Sequence, residues 1–111
     1  MKEFQLGEFE EIVLLTVAIL NENAYGVSIR KEIESRAERK VSVSALQTAL
    51  RRMEKKGFLE SDFGEATAVR GGKRKRYFKV TKHGKKALDY SKDLRLRLWE
   101  AIPDVSYKFT H

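Results

Sequence analysis

The segment from Arg70 to Lys86 constrains the fold most strongly, because it combines a turn signal with the pattern of a half-buried strand. Gly71 and Gly72 form a pair that is typical of a turn. Charged and apolar side chains alternate over residues 76–81, which predicts a strand with one face buried. The segment therefore predicts a β-hairpin with a basic tip.

The charge of this segment indicates its partner. It holds nine cations and no carboxylate in seventeen residues, whereas the whole chain has a net charge of +7: Arg70, Lys73, Arg74, Lys75, Arg76, Lys79, Lys82, Lys85 and Lys86. The rest of the chain is therefore slightly acidic, and the uneven distribution favours a positive face that binds a polyanion. The alternative interpretation is a solvated loop that only keeps the protein in solution.

Composition excludes several classes of protein. The chain has 111 residues, enough for one domain or a small domain with an accessory element. It has no cysteine, so disulfides, thiolate zinc sites and cysteine catalysis are excluded, and a cytoplasmic location is expected. The longest apolar run, residues 12–20, is far shorter than the ~20 residues of a membrane span. His83 and His111 are far apart and belong to no metal-binding motif, so we expect neither an enzyme nor a cofactor.

Two helices are predicted in the first part of the chain. Acidic residues followed by an apolar run predict a first helix from about Gly7 to Asn21. This helix is apolar nearly all round, so a partner subunit is expected to cover one face. Asn23 is predicted to cap a second helix, and a very short strand is predicted over residues 41–43.

A third helix is predicted to begin at a cap, Ser42 or Ser44, and to stop at Gly57. One face is apolar, with Leu46, Ala49, Leu50 and Met53. The opposite face carries small, hydrogen-bonding or cationic side chains: Ala45, Gln47, Thr48, Arg51, Arg52 and Lys55. Such a face suits a helix in a DNA major groove, where some side chains read bases and others hold phosphates. The alternative is an ordinary solvated helix face.

The remaining elements follow from similar patterns. Residues 58–63 fit a strand that pairs with residues 76–81, and Thr81 is placed to cap a last helix from Lys82 to about Ile102. The apolar stripe of this helix is too long for a small domain to cover: Ala87, Leu88, Leu94, Leu98, Trp99 and Ile102. We therefore expect a mainly α fold with a small β-hairpin, a winged helix-turn-helix over residues 1–81 with a dimerisation helix over 82–103 and a tail over 104–111.

In this order and spacing the residues resemble the PadR family of bacterial transcriptional regulators, in its short form with one C-terminal helix. The resemblance covers nearly the whole chain and is carried by Tyr25-Gly26-Val27, Val41-Ser42, Leu46, residues 50–54, Gly57-Phe58-Leu59, residues 71–78, Val80-Thr81 and Gly84. It implies a homodimer that binds a pseudo-palindromic operator in double-stranded DNA and usually represses transcription. The C-terminal helix, helped by the first helix, then forms the dimer interface: Leu14, Val17, Ala87, Leu94, Leu98, Trp99 and Ile102.

The resemblance also implies which residues contact DNA. The recognition helix supplies Ser44, Gln47, Thr48, Arg51, Arg52 and, on the same helix face, Lys55, and the wing supplies Arg70, Lys73, Arg74 and Lys75. The chain departs from the family pattern in three places. Gln47 stands where the family generally has a tyrosine, so the phosphate contact of that tyrosine does not carry over. Ser44-Ala45 replace a glycine and a threonine, and Asn23-Ala24 replace a histidine that often precedes the tyrosine of helix two.

Two other functions remain open at this stage. The basic wing alone would also suit a sequence-independent, architectural nucleic-acid-binding protein. Such a protein would lack the ~10³-fold preference for its own site over unrelated DNA that a sequence-specific regulator shows. A ligand sensor or adaptor that kept the winged fold is the third class. Trp99 leaves room for it, because an aromatic ring on a dimer-forming helix could stack on a small apolar ligand at the dimer interface, although core packing is the simpler role.

Overall fold

The computed structural model describes residues 2–64 and 74–104. In these ranges the chain forms helices α1 (Glu8–Leu20), α2 (Gly26–Arg36) and α3 (Val43–Lys55), strands β1 (Leu59–Phe63) and β2 (Arg76–Val80), and helix α4 (Lys82–Glu100). Short 3-10 turns cover Lys2–Phe4 and Asn21–Asn23. The predicted mainly α fold with a small antiparallel hairpin, in the order of a winged helix-turn-helix with an added helix, is confirmed.

The predicted ends of α3 and α4 agree with the structure. Gly57 follows α3 with a φ of +81°, a left-handed conformation that glycine adopts without strain. The Thr81 hydroxyl accepts a hydrogen bond from the Gly84 amide at 3.0 Å and donates one to the Gly57 carbonyl. Thr81 thus caps α4 and ties its start to the end of α3.

Two local predictions are wrong. Asn23 does not cap α2, because it belongs to the preceding 3-10 turn; Tyr25 is the cap residue, and its amide donates to the Ser28 hydroxyl at 3.0 Å. Residues 41–43 do not form a strand. The Val41 amide donates instead to the Glu34 carboxylate at 3.1 Å, and the Ser42 hydroxyl caps α3 by accepting from the Ala45 amide. Ser42, rather than Ser44, therefore starts the helix.

Helix α1 lies at the centre of the core. Its residues Val13, Leu14 and Val17 are almost fully buried. They pack in one hydrophobic cluster with side chains of the other elements: Ile29 and Ile33 of α2, Leu46, Leu50 and Met53 of α3, Phe58, Leu59 and Phe78 of the hairpin, and Ala87 and Leu88 of α4. Helices α1 and α2 and strand β1 all pack against α3. The core therefore holds one face of α3 inward and leaves its polar face exposed.

The hairpin is joined to the helices at its base. Its strands pair from Leu59 opposite Val80 to Phe63 opposite Arg76. The Phe78 amide donates to the Ala24 carbonyl at 2.8 Å, which fastens β2 to the start of α2. On the other side, Gly84 lies so close to the Phe58 carbonyl oxygen that an added Cβ would collide with it. The base of the hairpin therefore has a fixed position relative to α2 and α4.

Only the first half of α4 is part of this core. Gly84, Ala87 and Leu88 are buried, whereas every residue from Lys92 to Glu100 is exposed. The second half of α4 thus extends along the outside of the chain with its apolar side chains in solvent.

Candidate nucleic-acid interface

Helix α3 separates its side chains into two faces, as the sequence predicts. Leu46, Ala49, Leu50 and Met53 are buried. The predicted recognition-helix residues all lie on the exposed part of α3: Ser44, Gln47, Thr48, Arg51, Arg52 and Lys55. Helix α3 packs against β1, and Arg76 and Phe78 of β2 line a cleft with Gln47 and Arg51, so the exposed face of α3 lies next to the base of the hairpin.

Arg52 differs from its neighbours because it has an acidic partner on α1. Glu10 is only 7% exposed, and its carboxylate accepts hydrogen bonds from the Lys56 ammonium at 3.1 and 3.2 Å and from the Gly7 amide at 2.9 Å. The Arg52 guanidinium lies 4.0 Å from the same carboxylate. Buried carboxylates need such partners. Arg52 and Lys56 therefore help to stabilise Glu10, a role that the sequence did not indicate.

Gln47 lies where α3 meets α2 and the hairpin. Its side-chain Nε2 is 3.9 Å from the position that a Cβ on Gly26 would occupy, which is an ordinary van der Waals distance. Gln47 also lines a shallow cleft of about 280 Å³ with Arg51, Arg76 and Phe78. The side chain is thus exposed and lies beside the start of α2 and β2.

A polar network joins the last turn of α3 to both strands. The Ser61 hydroxyl donates to the Glu54 carboxylate at 2.7 Å and accepts from the Arg76 Nε at 2.8 Å. The Arg76 Nη2 lies 3.7 Å from Glu54. This network fixes the hairpin against α3. It uses Arg76 as a structural residue, although the sequence counts Arg76 among the cations of the basic segment.

In the described part of the wing, cationic side chains contact aromatic rings. The Arg74 guanidinium lies 5.6 Å from the centre of the Phe63 ring, and the Lys75 Nζ lies 4.2 Å from the centre of the Tyr25 ring. Such distances are typical of cation–π contacts. Both cations remain exposed. The other two predicted wing residues, Arg70 and Lys73, lie outside the described residues.

A second surface, the α1–α4 groove, lies between the exposed sides of these two helices. It has a volume of about 650 Å³ and an apolar floor that includes Leu15, Ala18, Leu88, Leu96 and Trp99. A bidentate ion pair bridges its rim, since Arg95 of α4 donates to Glu11 of α1 at 2.6 and 3.2 Å. The hydrogen bond and the charge of Glu11 raise the pKa of Arg95.

The predicted dimer-interface residues divide between the core and the exposed C-terminal part of the described chain, and Trp99 among them lines the α1–α4 groove. Leu94, Leu98, Trp99 and Ile102 are exposed, with Trp99 66% exposed. Leu14, Val17 and Ala87 are 0%, 1% and 0% exposed within the single chain. Their assignment to the interface is therefore corrected to a core role, because packing against α2, α3 and the hairpin leaves them no surface for a partner. The exposed apolar residues of α1 are instead Leu15 and Ile19.

Two features are absent from the described residues: a membrane-spanning helix and a cluster of metal ligands. Within residues 2–64 and 74–104, no helix is both long and apolar enough to cross a membrane. Over the same ranges, no three His, Asp or Glu side chains lie together in a way that could hold a metal ion.

Known proteins resemble this chain both in sequence and in fold. The sequence model of the transcriptional regulator PadR-like family matches residues 14–90. Among solved structures, a PadR family transcription regulator from Clostridium difficile R20291 is 28% identical, with a TM-score of 0.65 over 80% of this chain and 91% of that chain. A transcriptional regulator from Clostridium thermocellum is 26% identical, with a TM-score of 0.63 over 92% of each chain. A PadR family regulator from Eggerthella lenta, 23% identical, shares the fold with a TM-score of 0.67 over 94% of this chain and 88% of that chain. The comparison with curated proteins finds no match.

Proposed function

Because this chain belongs to the PadR-like family of transcriptional regulators, we propose that it binds a pseudo-palindromic operator as a homodimer and represses transcription. The family itself makes the chain a DNA-binding regulator. The observation that carries the finer proposal is the exposed face of α3, where polar and cationic side chains stand beside the basic hairpin. A helix with this composition fits the major groove, with the wing on the neighbouring phosphates.

Side chains along α3 divide into two roles in this proposal. Ser44, Gln47, Thr48 and Arg51 lie in the N-terminal half and in the middle of the helix, where base edges come within reach of a recognition helix. Lys55 lies in the last turn and contacts phosphate. The Arg52 guanidinium lies 4.0 Å from the Glu10 carboxylate, so when it contacts phosphate it interacts with both groups at once.

The apolar surface of α4 supports the homodimer. Leu94, Leu98 and Trp99 are exposed on α4, Ile102 is exposed just beyond its end, and monomeric proteins seldom leave so many large apolar side chains in solvent. A second copy that packs its own α4 against this part of the chain would bury these residues in both subunits. Two α3 helices related by a twofold axis then match the two halves of a palindromic site.

A ligand-responsive regulator is a second candidate, favoured by one observation. The α1–α4 groove is mostly apolar, has a volume typical of small-molecule sites, and exposes the ring of Trp99. A small flat apolar ligand could stack on this ring within the dimer interface. Such a ligand would alter the contact between the two α4 helices and therefore the distance between the two recognition helices.

Operator selection tests the proposed function. The protein would be used to enrich binding sites from a random duplex pool, and its affinity for the enriched site would be compared with that for unrelated duplex. We expect an inverted repeat and a preference of ~10³-fold or more. Equal affinity for both duplexes would establish an architectural binder instead. A regulator of this kind acts on the chromosome, so we also propose a cytoplasmic location.

A further inference from the structure

Phe63, the last residue of β1, is an exposed aromatic residue that the proposed function leaves unused. It is 49% exposed and does not belong to the hydrophobic core. Two guanidinium groups lie near its ring: Arg76 at 5.1 Å and Arg74 at 5.6 Å from the ring centre. An exposed phenylalanine in contact with two arginines indicates a role in holding cations rather than in burying apolar surface.

The two arginines are held differently. Arg76 has polar partners within the protein, because it donates to Ser61 and lies near the Glu54 carboxylate. Arg74 donates through its Nε to the Gly64 carbonyl at 2.8 Å. Among the residues that the structure describes, no carboxylate forms an ion pair with Arg74. The polar partner that the described residues offer Arg74 is a neutral carbonyl, so none of them neutralises its charge.

We propose that Phe63 is a positioning residue for DNA binding, which holds the Arg74 guanidinium ready to contact a backbone phosphate. This inference rests on the proposed function. The ring contacts the guanidinium while the Gly64 carbonyl accepts from the Nε–H. The terminal N–H groups have no partner among residues 2–64 and 74–104, and they have the geometry to donate to two oxygens of a phosphate. An arginine that is already ordered loses less side-chain entropy on binding than a freely moving one.

The chemistry of the surroundings identifies the anion as phosphate of a nucleic acid. Lys75 follows Arg74 and is exposed on the Tyr25 ring. No carboxylate occurs anywhere between Arg70 and Lys86 in the sequence. A single carboxylate ligand would not need so many cations, whereas a polyphosphate backbone passing the wing would meet several of them.

A double-mutant cycle between Phe63 and Arg74 tests this role. Phe63→Leu keeps apolar bulk and net charge but removes the ring, whereas Phe63→Tyr keeps the ring. Affinity for the enriched operator and for unrelated duplex would be measured for each variant, in the wild-type and in the Arg74→Ala background. Thermal unfolding would be followed by circular dichroism in parallel.

We expect Phe63→Leu to weaken binding to both duplexes about 3- to 10-fold per subunit, and Phe63→Tyr to bind within about 2-fold of the wild type. In the Arg74→Ala background, Phe63→Leu should have no further effect. The slope of affinity against salt should fall for Arg74→Ala and stay unchanged for Phe63→Leu, since the latter removes no cation.

Two results would overturn the inference in different ways. An equal loss from Phe63→Leu with and without Arg74 would make Phe63 a structural residue of the hairpin, while the proposed function would stand. A wild-type protein that binds no duplex would overturn the proposed function itself, and this inference with it.

Discussion

Arg95 of α4 and Glu11 of α1 form a bidentate ion pair, with 2.6 Å between Nη2 and Oε1 and 3.2 Å between Nε and Oε2. The pair bridges two helices whose exposed sides form the α1–α4 groove. Beyond Leu88 the side chains of α4 are no longer buried in the core, so this pair is the polar contact that fixes the outer half of α4 against α1.

The contribution of Arg95 to stability should not change with pH across the neutral and alkaline range. Glu11 raises the pKa of Arg95, and a raised pKa adds stability that is fully present below the unfolded-state pKa and is lost only as pH rises through the folded-state value. The difference in melting temperature between wild type and Arg95→Ala should therefore stay constant between about pH 7 and 10. A difference that shrinks within this range would contradict the prediction. Added salt should shrink it, because Arg95 is exposed.

The cations of the wing should contribute to binding on every DNA sequence. Replacing Arg74 and Lys75 by Ala should weaken binding to every duplex and reduce the magnitude of the salt slope by up to ~0.9 for each lost phosphate contact. Affinities measured over a series of salt concentrations give this slope. Lys31→Ala is the matched control, because Lys31 is an exposed cation of α2 outside both proposed surfaces and should leave the slope unchanged. Equal salt slopes for the double variant and the wild type would show that Arg74 and Lys75 do not contact the DNA backbone.

Gln47 and Lys55 should affect binding in opposite ways. Gln47→Ala should lose ~1–3 kcal/mol per half-site against one particular base pair and leave non-specific binding nearly intact. Lys55→Ala should weaken every sequence slightly, because a phosphate contact carries no sequence information. Titration of both variants against the operator, single-base operator variants and unrelated duplex distinguishes them. If Gln47→Ala weakens all duplexes equally, base reading must be assigned to Arg51 and Thr48.

Glu10 should matter for stability and for charge at the interface. Glu10→Gln should reduce the free energy of unfolding by about 1–2 kcal/mol, because the Lys56 ion pair is lost while the exposed Lys56 head can return to water. It should also strengthen non-specific DNA binding, since Arg52 is freed. Urea unfolding and duplex titration measure the two effects. Glu8→Gln, which breaks an exposed pair with Arg39, should cost under about 0.5 kcal/mol and serves as the control.

The oligomeric state should depend on the outer half of α4. Replacing Leu94 and Leu98 by Lys should give monomers in sedimentation equilibrium, because two charges would enter the surface that pairs the subunits. Val27→Lys is the control, since Val27 is 56% exposed on α2 and belongs to a different surface. A wild-type protein that sediments as a monomer at micromolar concentration would contradict the homodimer.

Local patterns in the sequence were sufficient for most of the fold. The four-residue spacing of Leu46, Leu50 and their neighbours predicted the buried face of α3. Gly57 predicted the end of α3, and Thr81 predicted the start of α4. These signals are local, because a cap or a helix face depends on residues within a few positions. The strand assigned to residues 41–43 failed because a remote carboxylate, Glu34, took the amide that a strand partner would need.

Contacts between remote residues were beyond the sequence. Glu10 and Lys56 are 46 positions apart, and Glu11 and Arg95 are 84 apart, so only the packing of the helices brings them together. For the same reason the apolar character of α1 did not distinguish residues covered by the chain itself, such as Leu14, from those left exposed, such as Leu15. An amphipathic pattern indicates that a helix face is buried, but it does not indicate whether the same chain or another chain covers that face.

The close approach of Gly84 to the Phe58 carbonyl has a consequence for directed evolution of new binding specificities. The exposed α3 residues Ser44, Thr48, Arg51 and Lys55 form no side-chain hydrogen bond or ion pair with other described residues, so a library can randomise them. Gly84 cannot be randomised, since even an alanine would push the start of α4 away from the hairpin. Selections that randomise these four positions while leaving Gly84 constant should therefore yield folded variants with altered operator preferences.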